Sequence, residues 1–186
     1  MKRIISLCSC IALIAIIIWS CERDDICAEA TPTTPHLIIR FYDINNPENL
    51  KQVRQLEVDG LNDMNDPNSE IPIVARTTTD SINLPLRFQE EGVDGEGTTT
   101  RFQLIKNADF ADNSDETNDH NIDIITIKYT PEFIYVSRAC GYKSIFNLDD
   151  PDGITRELDA DPWITSFDII NQTVENENAA QIIIYH

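Results

Sequence analysis

The sequence predicts an all-β chain folded as an antiparallel β-sandwich, immunoglobulin-like or similar, with one short helical candidate near residues 47–56. Three observations predict it. Apolar and polar residues alternate at a period of two in one run after another, the pattern of a strand with one buried face. Clusters of Gly, Pro, Asn and Asp separate those runs and supply turns. Beyond residue 35 about 150 residues remain, enough for one sandwich to bury a real core.

Residues 1–20 are an address. Lys2 and Arg3 form a short positive start, and Ile4 to Trp19 is apolar apart from Ser6 and Ser9. That run is shorter than the roughly 20 residues a membrane-spanning helix needs, so it reads as an export signal. Ile18-Trp19-Ser20-Cys21 resembles a bacterial lipoprotein signal, in which the cysteine is acylated on sulfur, as by palmitate, and becomes the new N-terminus. The bulky Trp19 departs from the usual residue there. Glu22-Arg23-Asp24-Asp25 resembles the acidic stretch that sends some Bacteroidetes lipoproteins to the cell surface. Residues 21–35, acidic and then Pro/Thr-rich, read as a tether. Residues 36–186 form the sandwich domain.

Within that domain Leu37, Ile39 and Phe41 share the face of a first strand. Pro47 suits a first helical position, and Leu50 and Val53 stand three apart, so Asn46 to Leu56 is the helical candidate. Ile82, Leu84, Leu86 and Phe88 alternate with Asn83, Pro85 and Arg87, and Pro85 marks an edge strand or a bulge. Residues 90–97 hold three of the six glycines and join this run to Phe102 and Leu104. Ile125, Ile127 and Tyr129 form the next buried face, and Tyr129-Thr130-Pro131-Glu132 is expected to turn. Asp149 to Gly153 turns again. Trp163, Thr165, Phe167 and Ile169 share a face, as do Ile182 and Ile184, with Asn176-Glu177-Asn178 turning a final hairpin.

Charge excludes one class of partner. Residues 1–20 hold two of the 14 basic residues and none of the 32 acidic ones, so the chain without them carries a formal charge of −20. Phosphate backbones would repel it, which argues against nucleic acid. Lipid rather than charge must hold it at a membrane. Of the five cysteines, Cys8 and Cys10 leave with the signal and Cys21 takes the lipid. Cys27 and Cys140 remain, an even pair in an oxidising compartment, and a disulfide between them is expected. Two buried free thiols are the alternative. The bridge would leave only residues 22–26 between the lipid and Cys27, a reach of about 20 Å fully extended. The domain is therefore expected close to the bilayer.

The stretches DDICAEATPTTPHLIIRFYD, TTTDSINLPLRF, YVSRACGYKSIFNL and NQTVENENAAQIIIYH resemble a family of small Bacteroidetes lipoproteins catalogued as a domain of unknown function. The resemblance implies the lipid anchor and the paired cysteines. It brings no activity, substrate or catalytic residue.

Catalytic patterns are absent from the sequence. His36, His120 and His186 lie far apart, and no metal-binding HExxH or CxxC spacing occurs. No nucleophile elbow and no phosphate-binding loop occurs either. Asp109 to Asp123 is dense in carboxylates, and Asp112, Asp115, Glu116 and Asp119 are weak candidate ligands for Ca²⁺, which takes about six to eight oxygens. Their spacing does not match a calcium loop, and the same residues are ordinary in turns. Trp163, Tyr135 and Phe133 would suit a sugar platform, but their alternation places them in the core.

The function expected is a non-enzymatic, lipid-anchored module of the outer membrane, on its periplasmic side or the cell surface. It would bind or scaffold a membrane-proximal protein such as an outer-membrane barrel, and needs no cofactor. The alternative is a calcium- or glycan-binding module using the acidic loops.

Overall fold

The structure, a computed structural model, describes Cys27 and residues 33–62, 64–88, 98–110 and 120–186. These fall into two compact units. One comprises Pro32–Ile134 and Ser144–His186, and of the other Cys27 and Tyr135–Lys143 are described. Among the described residues there is no helix. The strands are β1 (Leu37–Asp43), β2 (Asn46–Leu50), β3 (Val53–Leu61), β4 (Val74–Thr79), β5 (Ser81–Leu84), β6 (Thr98–Lys106), β7 (Asn121–Ser137), β8 (Gly141–Leu148), β9 (Ile154–Arg156), β10 (Ser166–Ile169), β11 (Thr173–Val174) and β12 (Ile182–Tyr185).

They form two sheets packed face to face as a β-sandwich. The first runs β10-β12-β1-β2, with β5 also paired to β1, and the second runs β11-β8-β7-β6-β3-β4, with β9 also paired to β7. All pairs whose register is resolved are antiparallel except β1 with β12, which is parallel. Alternation puts Leu37, Ile39 and Phe41 of the first sheet against Phe102, Leu104, Ile125 and Ile127 of the second, in one buried cluster. The longest ladder is β6 with β7, paired without a break from Thr98↔Tyr129 to Lys106↔Asn121.

The helix expected over 47–56 does not form. Its residues divide between β2 and the start of β3. Leu50 is exposed, whereas Val53 and Leu56 are both fully buried. A β-bulge puts those two on one side: Gln55 takes a left-handed φ of 45°, and the β3–β4 register shifts between Val53 and Leu56. The spacing of three between Val53 and Leu56 comes from an extra residue in a strand, and Leu50 and Val53, on which the helical reading rested, lie in two different strands.

Two expected turns are also corrected. Tyr129-Thr130-Pro131-Glu132 lies inside the 17-residue strand β7. The described pairing to β6 ends at Thr98↔Tyr129, so Pro131 lies where the missing N–H breaks no bond of that ladder. Asn176-Glu177-Asn178 turns as expected, with Asn176 Oδ1 accepting the Asn178 N–H at 3.0 Å. It does not close a hairpin, because β11 pairs with β8 in one sheet and β12 with β1 and β10 in the other. The Asp149–Gly153 turn stands, and β7 brackets it: Lys128 N–H donates to Gly153 O and Asp149 N–H to Lys128 O, both at 3.0 Å.

Candidate functional site: a disulfide-tied hairpin and an apolar cleft

The hairpin formed by the end of β7 and the start of β8 is built by local chemistry. Gly141 takes a left-handed φ of 69°, which a side chain would strain, and this lets β8 start directly after the turn. Ser137 Oγ accepts the Cys140 N–H at 3.0 Å and closes the turn. Cys140 is joined to Cys27, with Sγ atoms 2.01 Å and Cα atoms 4.8 Å apart. Tyr135 and Tyr142 face each other across the hairpin, ring centroids 5.4 Å apart and steeply tilted. Both are open to solvent, 56% and 68% exposed, and Arg138 at the turn is exposed too.

Of Trp163, Tyr135 and Phe133, all three expected in the core, only Trp163 lies there. Trp163 is buried, and its indole N–H donates to Leu104 O at 3.2 Å. Phe133 and Tyr135 keep the odd-numbered parity of Ile125, Ile127 and Tyr129, but they are exposed. The sequence does carry a signal for this. Residues 133–148 contain no Asp or Glu, the longest acid-free run beyond residue 21 of a chain with 32 acids.

In the sandwich unit a cleft of about 200 Å³ opens between β3, β6 and the segments around Ile71 and Leu86. Ile71, Ile73, Leu86 and Phe102 give it an apolar lining, and Ile71 is 78% exposed. Asp59 and Arg87 are its charged groups. Both are held: Gln103 Nε2 donates to Asp59 Oδ2 at 2.9 Å, and Arg87 Nη2 donates to Leu61 O at 2.9 Å. Elsewhere on this unit Phe88 and Phe133 meet edge to face at 5.5 Å, both substantially exposed.

Buried titratable groups serve the packing. Tyr129 is fully buried against Phe146, and its hydroxyl donates to Arg87 O at 2.5 Å while accepting from Thr100 Oγ1 at 2.6 Å. Burial raises its pKa. Asp123, 1% exposed, accepts the Ile164 N–H on Oδ2 at 2.7 Å, and its Oδ1 has no partner among the described residues. Burial pushes this carboxyl above the ordinary aspartate value, against the lowering pull of the Ile164 N–H and of Arg156. His186 is buried edge-on to Phe41 and Trp163, and burial pushes its imidazole below the usual value. His36 instead lies exposed, 2.7 Å from Glu177.

Cys21 and the acidic candidates Asp112, Asp115, Glu116 and Asp119 lie outside the described residues. The two acidic residues that bound this stretch, Asp109 and Asp123, are engaged in the fold. Asp109 pairs with both terminal guanidinium nitrogens of Arg54, at 2.7 and 2.6 Å, and Asp123 is the buried carboxyl just described. Among the described residues no group of three or more His, Cys, Asp or Glu side chains is placed to hold a metal ion.

Fold and surface together define a small β-sandwich protein with a disulfide-tied hairpin and exposed aromatic pairs. Residues 55–186, well over half of the chain, match the Family of unknown function (DUF6452), and the chain belongs to that family. No curated protein and no solved structure matches it.

Proposed function

We propose that the chain is a lipid-anchored protein of the outer membrane that acts as a non-enzymatic binding or scaffolding module for a membrane-proximal protein. The observation that carries this reading is the Cys27–Cys140 disulfide. It fixes the chain six residues beyond Cys21, so an acylated Cys21 holds the bridge within about 20 Å of the bilayer. Partners in reach are other proteins of the same membrane. The cleft beneath Ile71 and Ile73 offers such a partner an apolar surface with Asp59 and Arg87 beside it.

Crosslinking in intact cells followed by capture of the full chain tests the reading. Recovery of one envelope protein, lost on Ile71→Asp with Ile73→Asp, is the expected result. Capture of no envelope protein, with the chain folded and abundant, would refute the binding role.

A further inference from the structure

We propose that the Tyr135–Tyr142 hairpin is a membrane-docking element whose tyrosine pair beds in the headgroup layer of the bilayer that holds Cys21. This rests on the lipid anchor proposed above. Three observations carry it.

The first is reach. Cys140, in the turn of the hairpin, is bonded to Cys27, and only residues 22–26 separate Cys27 from the acylated position. An extended run of that length covers about 20 Å, so the hairpin cannot leave the neighbourhood of the surface.

The second is chemistry. Tyrosine suits the membrane interface, where its ring meets acyl chains and its hydroxyl meets water and headgroups. Tyr135 and Tyr142 present such rings side by side, and neither is covered by the fold. Arg138 adds a guanidinium, whose fork of donors suits phosphate oxygens.

The third is contrast. A chain of formal charge −20 is repelled by anionic headgroups almost everywhere. The acid-free run of residues 133–148 includes the whole hairpin, so no carboxylate of its own opposes its approach to them. The disulfide, Gly141 and the Ser137 bond hold the hairpin in shape beforehand, so docking orders little that was free.

The test uses the full chain with Tyr142→Trp, made with its own residues 1–20 and extracted from membranes. Trp163 is buried and is the sole other tryptophan once Trp19 has left with the signal. Intact mass comes first. The acylated protein is then placed in phosphatidylethanolamine–phosphatidylglycerol vesicles, with and without lipid spin-labelled near the headgroup. Docking predicts that the spin label lowers the emission of the variant at least about twofold more than that of the parent chain. Tyr135→Trp is the second reporter, should the first variant fail to fold. Acylated chains in which the Tyr142→Trp and Tyr135→Trp reporters both stay unquenched would overturn the docking and leave the anchor standing. A mass with no acyl group on Cys21 would overturn the anchor, and the docking with it.

Discussion

Asp123 and His186 set opposite demands on pH. The Asp123 carboxyl has a raised pKa in the folded chain, so folding favours its protonated form. Its contribution is full below the ordinary value of 3.8 and is lost as pH rises through the folded value. Asp123→Asn keeps an oxygen for the Ile164 N–H and removes the buried charge. Urea unfolding should find it more stable than the parent at pH 7, and by less at pH 4. The His186 imidazole has a lowered pKa, so the unfolded chain takes up its proton first, near 6.5. Stability from this residue is present above that value and is lost as pH falls from 6.5 through the folded pKa. His186→Gln should flatten the decline in unfolding midpoint between pH 7.5 and 5; an unchanged slope would show that the ring does not titrate in the window. Tyr129→Phe removes the donor to Arg87 O and the acceptor for Thr100 from a closed core. It should cost about 1–3 kcal/mol in the same assay, although the ring itself stays.

At the scale of elements, alternation carries most of the information and connections carry least. The buried faces of β1, β6, β7 and β12 read directly from period-2 runs such as Leu37-Ile39-Phe41 and Ile125-Ile127-Tyr129. The β3 bulge does not, since an inserted residue turns a spacing of two into three and imitates a helix. Nor does the crossing between β11 and β12, because the turn residues at 176–178 are the same whichever sheet receives the next strand. The exposed aromatics of the hairpin escape the pattern for a related reason: parity says which side of a strand a residue takes, not whether anything covers that side. The Asp149–Gly153 turn is legible, and its glycine has a steric reason. A Cβ on Gly153 would lie 2.5 Å from Asp149 O and 2.9 Å from Ile169 Cδ1. Gly153→Ala should therefore destabilise by about 1–3 kcal/mol, seen as a lower melting temperature, whereas alanine at Gly60 meets only contacts of 3.4 Å and longer and should cost less.

For the whole molecule the disulfide is legible by elimination, since the expected export signal and lipid site would account for three of the five cysteines. It closes a loop with a sequence separation of 113, which chain entropy values at about 4–5 kcal/mol as an upper guide. Cys27→Ser with Cys140→Ser should lower the unfolding free energy by no more than that, and reductant should do the same to the parent chain and nothing further to the double variant.

The pairing of β1 with β12 governs when the protein can be made whole. Ile38 bonds to Gln181 across a separation of 143 residues, and the parallel ladder from Ile39↔Ile182 to Tyr42↔Tyr185 follows. A strand near the start of the domain thus waits for the last strand before its sheet closes. Contacts this distant make folding slow and leave it until residues 182–185 have been made. During that interval β1 offers an open edge to any neighbouring chain. A polypeptide halted short of Ile182 would keep that edge open for good, so quality control should recognise it by the unpaired strand it can never complete.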